Sequence, residues 1–206
     1  MEATTFGYFV LTSVLLTLAP GPDILYLLTK SISSGAKSGI ILACGLVSGI
    51  AFHTMLVMLG VAALISSSPT ALTVLKYVGG LYLLYLAVGA LRSSGDLKLG
   101  RADSSRSLKA LYRRGILMNV LNPKVLLFFL AFLPQFIVVD GGISPSFQIA
   151  MLGLTFAFQA LIVFSIVSIC AASLRRFILR KKNIGGIFGK IEGAVLIIIA
   201  IGLFIS

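Results

Sequence analysis

The stretch Leu18–Leu28, LAPGPDILYLL, sets Pro20, Gly21, Pro22 and Asp23 inside an otherwise apolar segment. A second stretch, Asn119–Phe129, reads NVLNPKVLLFF and sets Asn122, Pro123 and Lys124 in similar surroundings. Pro123 follows Pro22 by 101 positions in a chain of 206, so the motifs hold matching places in two halves. Proline interrupts the backbone ladder of a helix, and a charge in hydrocarbon is costly. A chain that does both twice, at matching positions, is expected to carry a transport site there.

Working outward, the composition defines the class. Hydrophobic residues make up 58% of the chain and charged residues 11%, with a mean hydropathy of +1.09. A soluble domain carries roughly 25% charged residues. Apolar stretches of about 20 residues, the length that crosses hydrocarbon, recur along the chain. Only helices or closed barrels satisfy their backbone in lipid, and stretches of this length imply helices. The expected fold is all-α: a polytopic membrane protein with spans at Phe6–Thr29, Ser38–Ile65, Ala71–Leu91, Gly115–Val138, Phe147–Ser173 and Ile187–Ile205. The start of the chain does not read as a signal peptide, because its one early charge is Glu2 and its apolar run is too long.

The net charge of +11 raises the question of nucleic acid, but its distribution answers it. Fifteen of the 17 basic residues fall on alternate connections. Lys30 and Lys37 lie between spans one and two. Seven more, from Arg92 to Arg114, lie between three and four, and six, from Arg175 to Lys190, lie around the connection of five to six. The exceptions are Lys76 and Lys124. This is a positive-inside pattern for six spans with both termini outside. The basic connections then read as topology signals in contact with anionic lipid, and no nucleic-acid partner is expected.

The repeat extends past the prolines. Span three contains GLYLLYLAVG at Gly80–Gly89 and span six contains GAVLIIIAIG at Gly193–Gly202. Three spans per half is an odd number, so the second half enters the membrane from the opposite side. The expectation is a single transporter domain over residues 1–206. Repeat one covers about 1–91, a basic cytoplasmic connection about 92–114, and an inverted repeat two about 107–206. Helix one is expected to run on to about Ser33 and helix four to begin near Ser107, which would put both breaks near mid-membrane.

At the first break, Pro22 suits the first position of a new half-helix, whose positive end favours the carboxylate of Asp23. At the second, Asn122 reads as an N-cap, Pro123 as the first helical residue, and Lys124 supplies a cation. An α-amino acid carries one ammonium and one carboxylate, which Asp23 and Lys124 would match. The alternative is that the two simply pair and hold the halves together. His53 is the one histidine and shares a helical face with Gly45 and Gly49. It reads either as a titratable pore-lining group or as an interhelical hydrogen bond. Gln159 has the same two readings, contact with cargo or an interhelical bond. Gly45, Gly49, Gly80, Gly89, Gly193 and Gly202 read as close-packing positions. Tyr26, Tyr82 and Tyr85 read as packing aromatics, Glu192 as a local ion pair with Lys190, and Pro134 with Gln135 as the end or a kink of span four. Cys44 and Cys170 read as buried free thiols, and the chain has no CxxC pair, no metal-ligand cluster and no Walker motif.

The APGPD of Ala19–Asp23, the NPK of Asn122–Lys124, the LPQF of Leu133–Phe136 and the glycine-bearing third and sixth spans resemble the lysine exporter and homoserine/threonine resistance superfamily, LysE/RhtB. The resemblance covers nearly the whole chain. It implies a secondary transporter that exports amino acids or derivatives, driven by a proton or other cation gradient, with no cofactor and no catalysis. It also implies central roles for Pro20, Gly21, Pro22, Asp23, Asn122, Pro123 and Lys124. A homodimer is a further expectation, because six short spans leave much lipid-facing surface. Two other readings stand beside it: an ion exporter built on the same repeat, and a membrane thiol oxidoreductase or assembly factor.

Overall fold

The computed structural model describes residues 3–67, 69–92, 107–138, 142–173 and 184–205. The basic residues Lys98, Arg101 and Arg106, and those from Arg175 to Lys182, lie outside the described residues. Everything described is helix or short connection: α1 (Ala3–Leu18), α2 (Pro22–Ser34), α3 (Ala36–Ser67), α4 (Pro69–Arg92), α5 (Leu108–Val120), α6 (Pro123–Leu127), α7 (Pro145–Ser173) and α8 (Ile184–Ile205). After α6 the chain continues through a π-helical turn, Phe128–Phe132, and a 3₁₀ turn, Leu133–Phe136. Pro134 lies in that last turn, and the fourth span ends there as expected.

Among the described residues, four helices are long and apolar enough to cross a membrane: α3, α4, α7 and α8. Two further pairs qualify only when joined across a bend, α1 with α2 at 59° and α5 with the Pro123–Phe136 segment at 49°. These broken pairs are the first and fourth spans. The missing amide hydrogens of Pro20, Pro22 and Pro123 account for the breaks.

Both broken spans extend as expected, the first to about Ser33 and the fourth from near Ser107, and basic residues assigned to the connections lie inside their helices. Helix α2 runs to Ser34 and buries Lys30, which is therefore not in a connection. Gly35, at φ +84°, then turns the chain directly into α3, a conformation that favours glycine. Helix α5 starts at Leu108, capped by Ser107, whose hydroxyl accepts from the Ala110 amide at 3.2 Å. Its first turns carry Lys109, Arg113 and Arg114, and the Arg114 guanidinium lies 4.2 Å from the Tyr26 ring centre.

Small residues set the helix contacts, which in lipid depend on close packing. A methyl at Gly45 would collide with the Tyr112 carbonyl, and one at Gly49 would lie 2.7 Å from Cβ of Asn119. Helices α3 and α5 therefore run parallel. On α4 and α8, a methyl at Gly80 would lie 2.6 Å from the Phe204 ring, one at Gly193 would strike Leu91 and the Ala87 carbonyl, and one at Gly202 would strike the Tyr8 hydroxyl. That pairing, Gly80 with Phe204 and Leu91 with Gly193, makes α4 and α8 antiparallel. Helices α3 and α7 are antiparallel too, through Gly39 with Ser168 and Thr54 with Gly153. The two broken spans also run oppositely, with Tyr8 against Phe136 and the Leu16 carbonyl against Lys124. Gly89 does not pack: among the described residues, no atom outside its own turn of helix backbone lies within 4 Å of where its methyl would stand, because it faces a cavity. Cys44 is half-buried and Cys170 exposed, so the expectation of two buried thiols fails for Cys170, which sits on the outer face of α7.

An aromatic cluster closes one end of the bundle. Phe9 lies 5.2 Å from Phe136 and Phe128 lies 4.9 Å from Phe132, centre to centre, with Tyr8, Phe129 and Phe156 alongside. It is formed mainly by the start of α1 and the π and 3₁₀ turns after α6.

Candidate functional site

At the first break, the amide that Pro20 lacks would have bonded the Leu16 carbonyl. Helix α1 makes its last bond from the Ala19 amide to the Leu15 carbonyl, 2.9 Å. The freed carbonyls of Leu16 and Ala19 accept from the Lys124 ammonium, at 3.4 and 2.9 Å. Helix α2 restarts at Pro22 without a side-chain cap, since Gly21 occupies the N-cap position. Asp23 sits in its first turn, where the helix dipole favours a carboxylate.

At the second break, Pro123 lacks the amide that would have bonded the Asn119 carbonyl. That carbonyl accepts instead from the Asn122 amide at 2.9 Å and from Nε2 of His53 at 3.0 Å. A carbonyl only accepts, so Nε2 of His53 carries a proton. Asn122 caps the new half-helix as expected, its Oδ1 accepting from the Lys124 amide at 3.0 Å. Its Nδ2 donates to Oδ2 of Asp23 at 2.6 Å.

The two motifs therefore meet. Asp23, Asn122 and Lys124 are buried, at 6, 3 and 7% exposed. Asp23 takes its hydrogen bond from Asn122, and Lys124 turns to the carbonyls of the first break. The charges are neighbours, yet each is held by a neutral group of the opposite motif.

Two spaces flank Lys124. One is a cavity of about 640 Å³, lined by Pro22, Tyr85, Arg92, Asn122, Lys124 and Glu192 among others. The other is a chamber of about 20 Å³, bounded by Thr17, Asp23, Asn119 and apolar side chains, roughly the size of one water. Oδ1 of Asp23 and Oδ1 of Asn119 are buried without a hydrogen-bond partner among the described residues.

Gly21 stands where the wide cavity meets the break. A Cβ there would lie 3.0 Å from Nζ of Lys124 and 3.2 Å from Oε1 of Glu192. Glu192 thus faces Lys124 across the cavity rather than pairing with Lys190. Residues two apart point to opposite sides of a helix, and Lys190 is exposed.

His53 is fully buried between Phe52 and Phe129 and takes the interhelical role. Gln159 does likewise, donating to Oγ1 of Thr17 at 3.0 Å and to the Ser13 carbonyl at 3.4 Å, one turn before the first break. Tyr85 lines the wide cavity, against the packing reading, although its ring also lies 5.6 Å from Tyr82.

Asn119, Glu192 and Arg92 were not singled out as site residues from the sequence. Asn119 had a signal, since it stands four residues before Pro123 and owns the carbonyl that proline frees. Glu192 had one as well: it is an acid inside an apolar span whose nearest base, two positions away, cannot reach it on a helix. Arg92 had none beyond its place at the end of a span.

Comparison with known proteins agrees with a multi-pass membrane protein. Residues 14–206 match the LysE type translocator family, and the chain belongs to that family. It is 32% identical over 196 residues to an uncharacterized membrane protein of Vibrio cholerae serotype O1, covering 95% of this chain and 94% of that one. It is 29% identical over 191 residues to a leucine efflux protein of Salmonella choleraesuis, covering 92% of this chain and 89% of that one. No solved structure matches.

Proposed function

We propose that the chain is one transporter domain, residues 1–206, that exports amino acids or close derivatives across a bacterial or archaeal cytoplasmic membrane by alternating access, driven by the proton motive force. Residues of about 1–91 and 107–206 act as inverted repeats joined by a basic cytoplasmic connection. The antiparallel run of the first span against the fourth, α3 against α7 and α4 against α8 is the relation such repeats require. The basic connections put both termini outside. On that orientation the wide cavity, which reaches Arg92 at the end of α4, opens toward the cytoplasm, and the aromatic cluster closes the outer side.

The observation that carries the reading is the convergence of Asp23 and Lys124, buried opposite charges from two proline breaks, beside a cavity open at one end. Buried ionisable groups at broken helices mark cargo and ion paths in transporters. In this reading Lys124 meets the cargo carboxylate, and Asp23 carries the coupling proton or cation. Tyr85, Leu86 and Val88 offer an apolar wall to a side chain. Leucine is the first cargo to test, because a relative is named for leucine efflux.

Counterflow in proteoliposomes tests this directly. Vesicles loaded with unlabelled leucine should accumulate labelled leucine, and a proton gradient should drive net movement that a protonophore abolishes. Absence of exchange across the twenty amino acids and homoserine would remove the reading.

A further inference from the structure

Glu192 lies in α8, within a span of mean hydropathy 2.2, where a carboxylate is costly and needs a reason. No local partner supplies one, because Lys190 is on the opposite side of the helix. Its carboxylate turns instead into the wide cavity, and among the described residues lining that cavity Glu192 is the one acid. Asp23 borders the small chamber on the far side of Lys124. Among the described residues, the cavity thus has one negative group, Glu192, and two positive ones, Lys124 and Arg92, along an otherwise largely apolar wall.

The carboxylate and the Lys124 ammonium both approach the point where Gly21 lacks a side chain, and each acts electrostatically on the other. We propose that Glu192 is the acceptor for the cargo's ammonium group and so restricts the cavity to substrates with a free amine. This rests on the export reading above. A zwitterion entering from the cavity places its carboxylate on Lys124 and its ammonium on Glu192. The attraction between Glu192 and Lys124 is replaced by two protein–cargo contacts. A carboxylate analogue without the ammonium leaves Glu192 facing apolar cargo, and a polar group deprived of its partner in a closed site is strongly disfavoured. Gly21 belongs to the same device, since any side chain there would stand where the two charges approach.

The test compares leucine with N-acetylleucine, which keeps the carboxylate and side chain but loses the charged amine. Both are measured in leucine counterflow, one as substrate and the other as competitor. Wild type should favour leucine by about 10- to 100-fold, the range for a hydrogen bond to a charged group. Glu192→Gln should raise the leucine KM by about that factor while inhibition by N-acetylleucine is unchanged or stronger. Glu192→Asp keeps the charge, and with it the fold, and should raise the KM by a smaller factor. This variant decides the matter if the glutamine variant does not fold. Equal loss of leucine and N-acetylleucine recognition, or an unchanged leucine KM in both variants, overturns the assignment. A wild type that exchanges no amino acid fails the export reading and takes this assignment with it. A wild type that exchanges leucine, with variants that keep its preference, fails this assignment alone.

Discussion

At the first break, the carbonyl freed by proline, that of Leu16, is met by a charged donor from the other half of the chain, Lys124. At the second, the freed carbonyl of Asn119 is met by the imidazole of His53 and by a local amide. The first break has no side-chain cap, and the second is capped by its own Asn122. The backbone defect is the same in both, but one is repaired by a long, flexible cation and the other by short groups locked in the core. A lysine that holds carbonyls can leave them for a better partner such as a cargo carboxylate. A histidine buried between two phenylalanines is held far more rigidly. The first break is thus suited to move, and the second to hold its shape.

Removing Lys124 gives the largest effect. Lys124→Met strips the donor from two carbonyls and the cation from the cavity, so counterflow should fall by at least about 100-fold. Asp23→Asn should also abolish transport, for a narrower reason. An asparagine oxygen still accepts from Asn122, so the bond between the motifs survives and only the charge is lost. Both variants should elute as single species in detergent. Normal transport in either one breaks the asymmetry described above.

Gly21→Ala comes next. Its methyl would stand 3.0 Å from Nζ of Lys124 and 3.2 Å from Oε1 of Glu192. Crowding of this kind costs about 1–3 kcal/mol, so exchange should slow by about tenfold. His53→Phe attacks the other break and should act on stability first. It removes one donor from a buried carbonyl, at about 1–3 kcal/mol, and should lower the melting temperature in detergent while leaving the leucine KM near wild type. A changed KM with an unchanged melting temperature would make the second break a mobile part as well.

The spans, both breaks and the meeting of Asp23 with the NPK motif were legible because they follow from single-residue physics. Proline lacks an amide, charge avoids lipid, and basic residues gather on one side. The turns that carry α2 to Ser34 and α5 back to Leu108 were legible as well, although Lys30 was assigned to a connection because a base looks like the end of a span. Glu192 was misread because nearness in sequence was taken for nearness in space. Its true neighbours, Lys124 and Gly21, come from segments far away in the chain. The donor that replaces the missing amide could not be read at all. Sequence shows that the Leu16 and Asn119 carbonyls are freed, but only packing decides that Lys124 serves one and His53 the other.

Gly89→Ala should have the smallest effect and makes the sharpest control. Gly89 lines the wide cavity on an intact helix, and Gly21 lies at a break beside Lys124 and Glu192, which line it too. Among the described residues, no atom outside its own turn of helix backbone lies within 4 Å of the methyl that alanine would add at 89, and mid-helix alanine is favoured over glycine. Transport should stay within about twofold of wild type, the range of a substitution that touches nothing. A tenfold loss there, equal to that of Gly21→Ala, would mean that the cavity tolerates no added methyl anywhere. The need for glycine at 21 would then reflect cargo volume rather than the approach of Lys124 and Glu192. A loss confined to Gly21→Ala ties the requirement to the break itself.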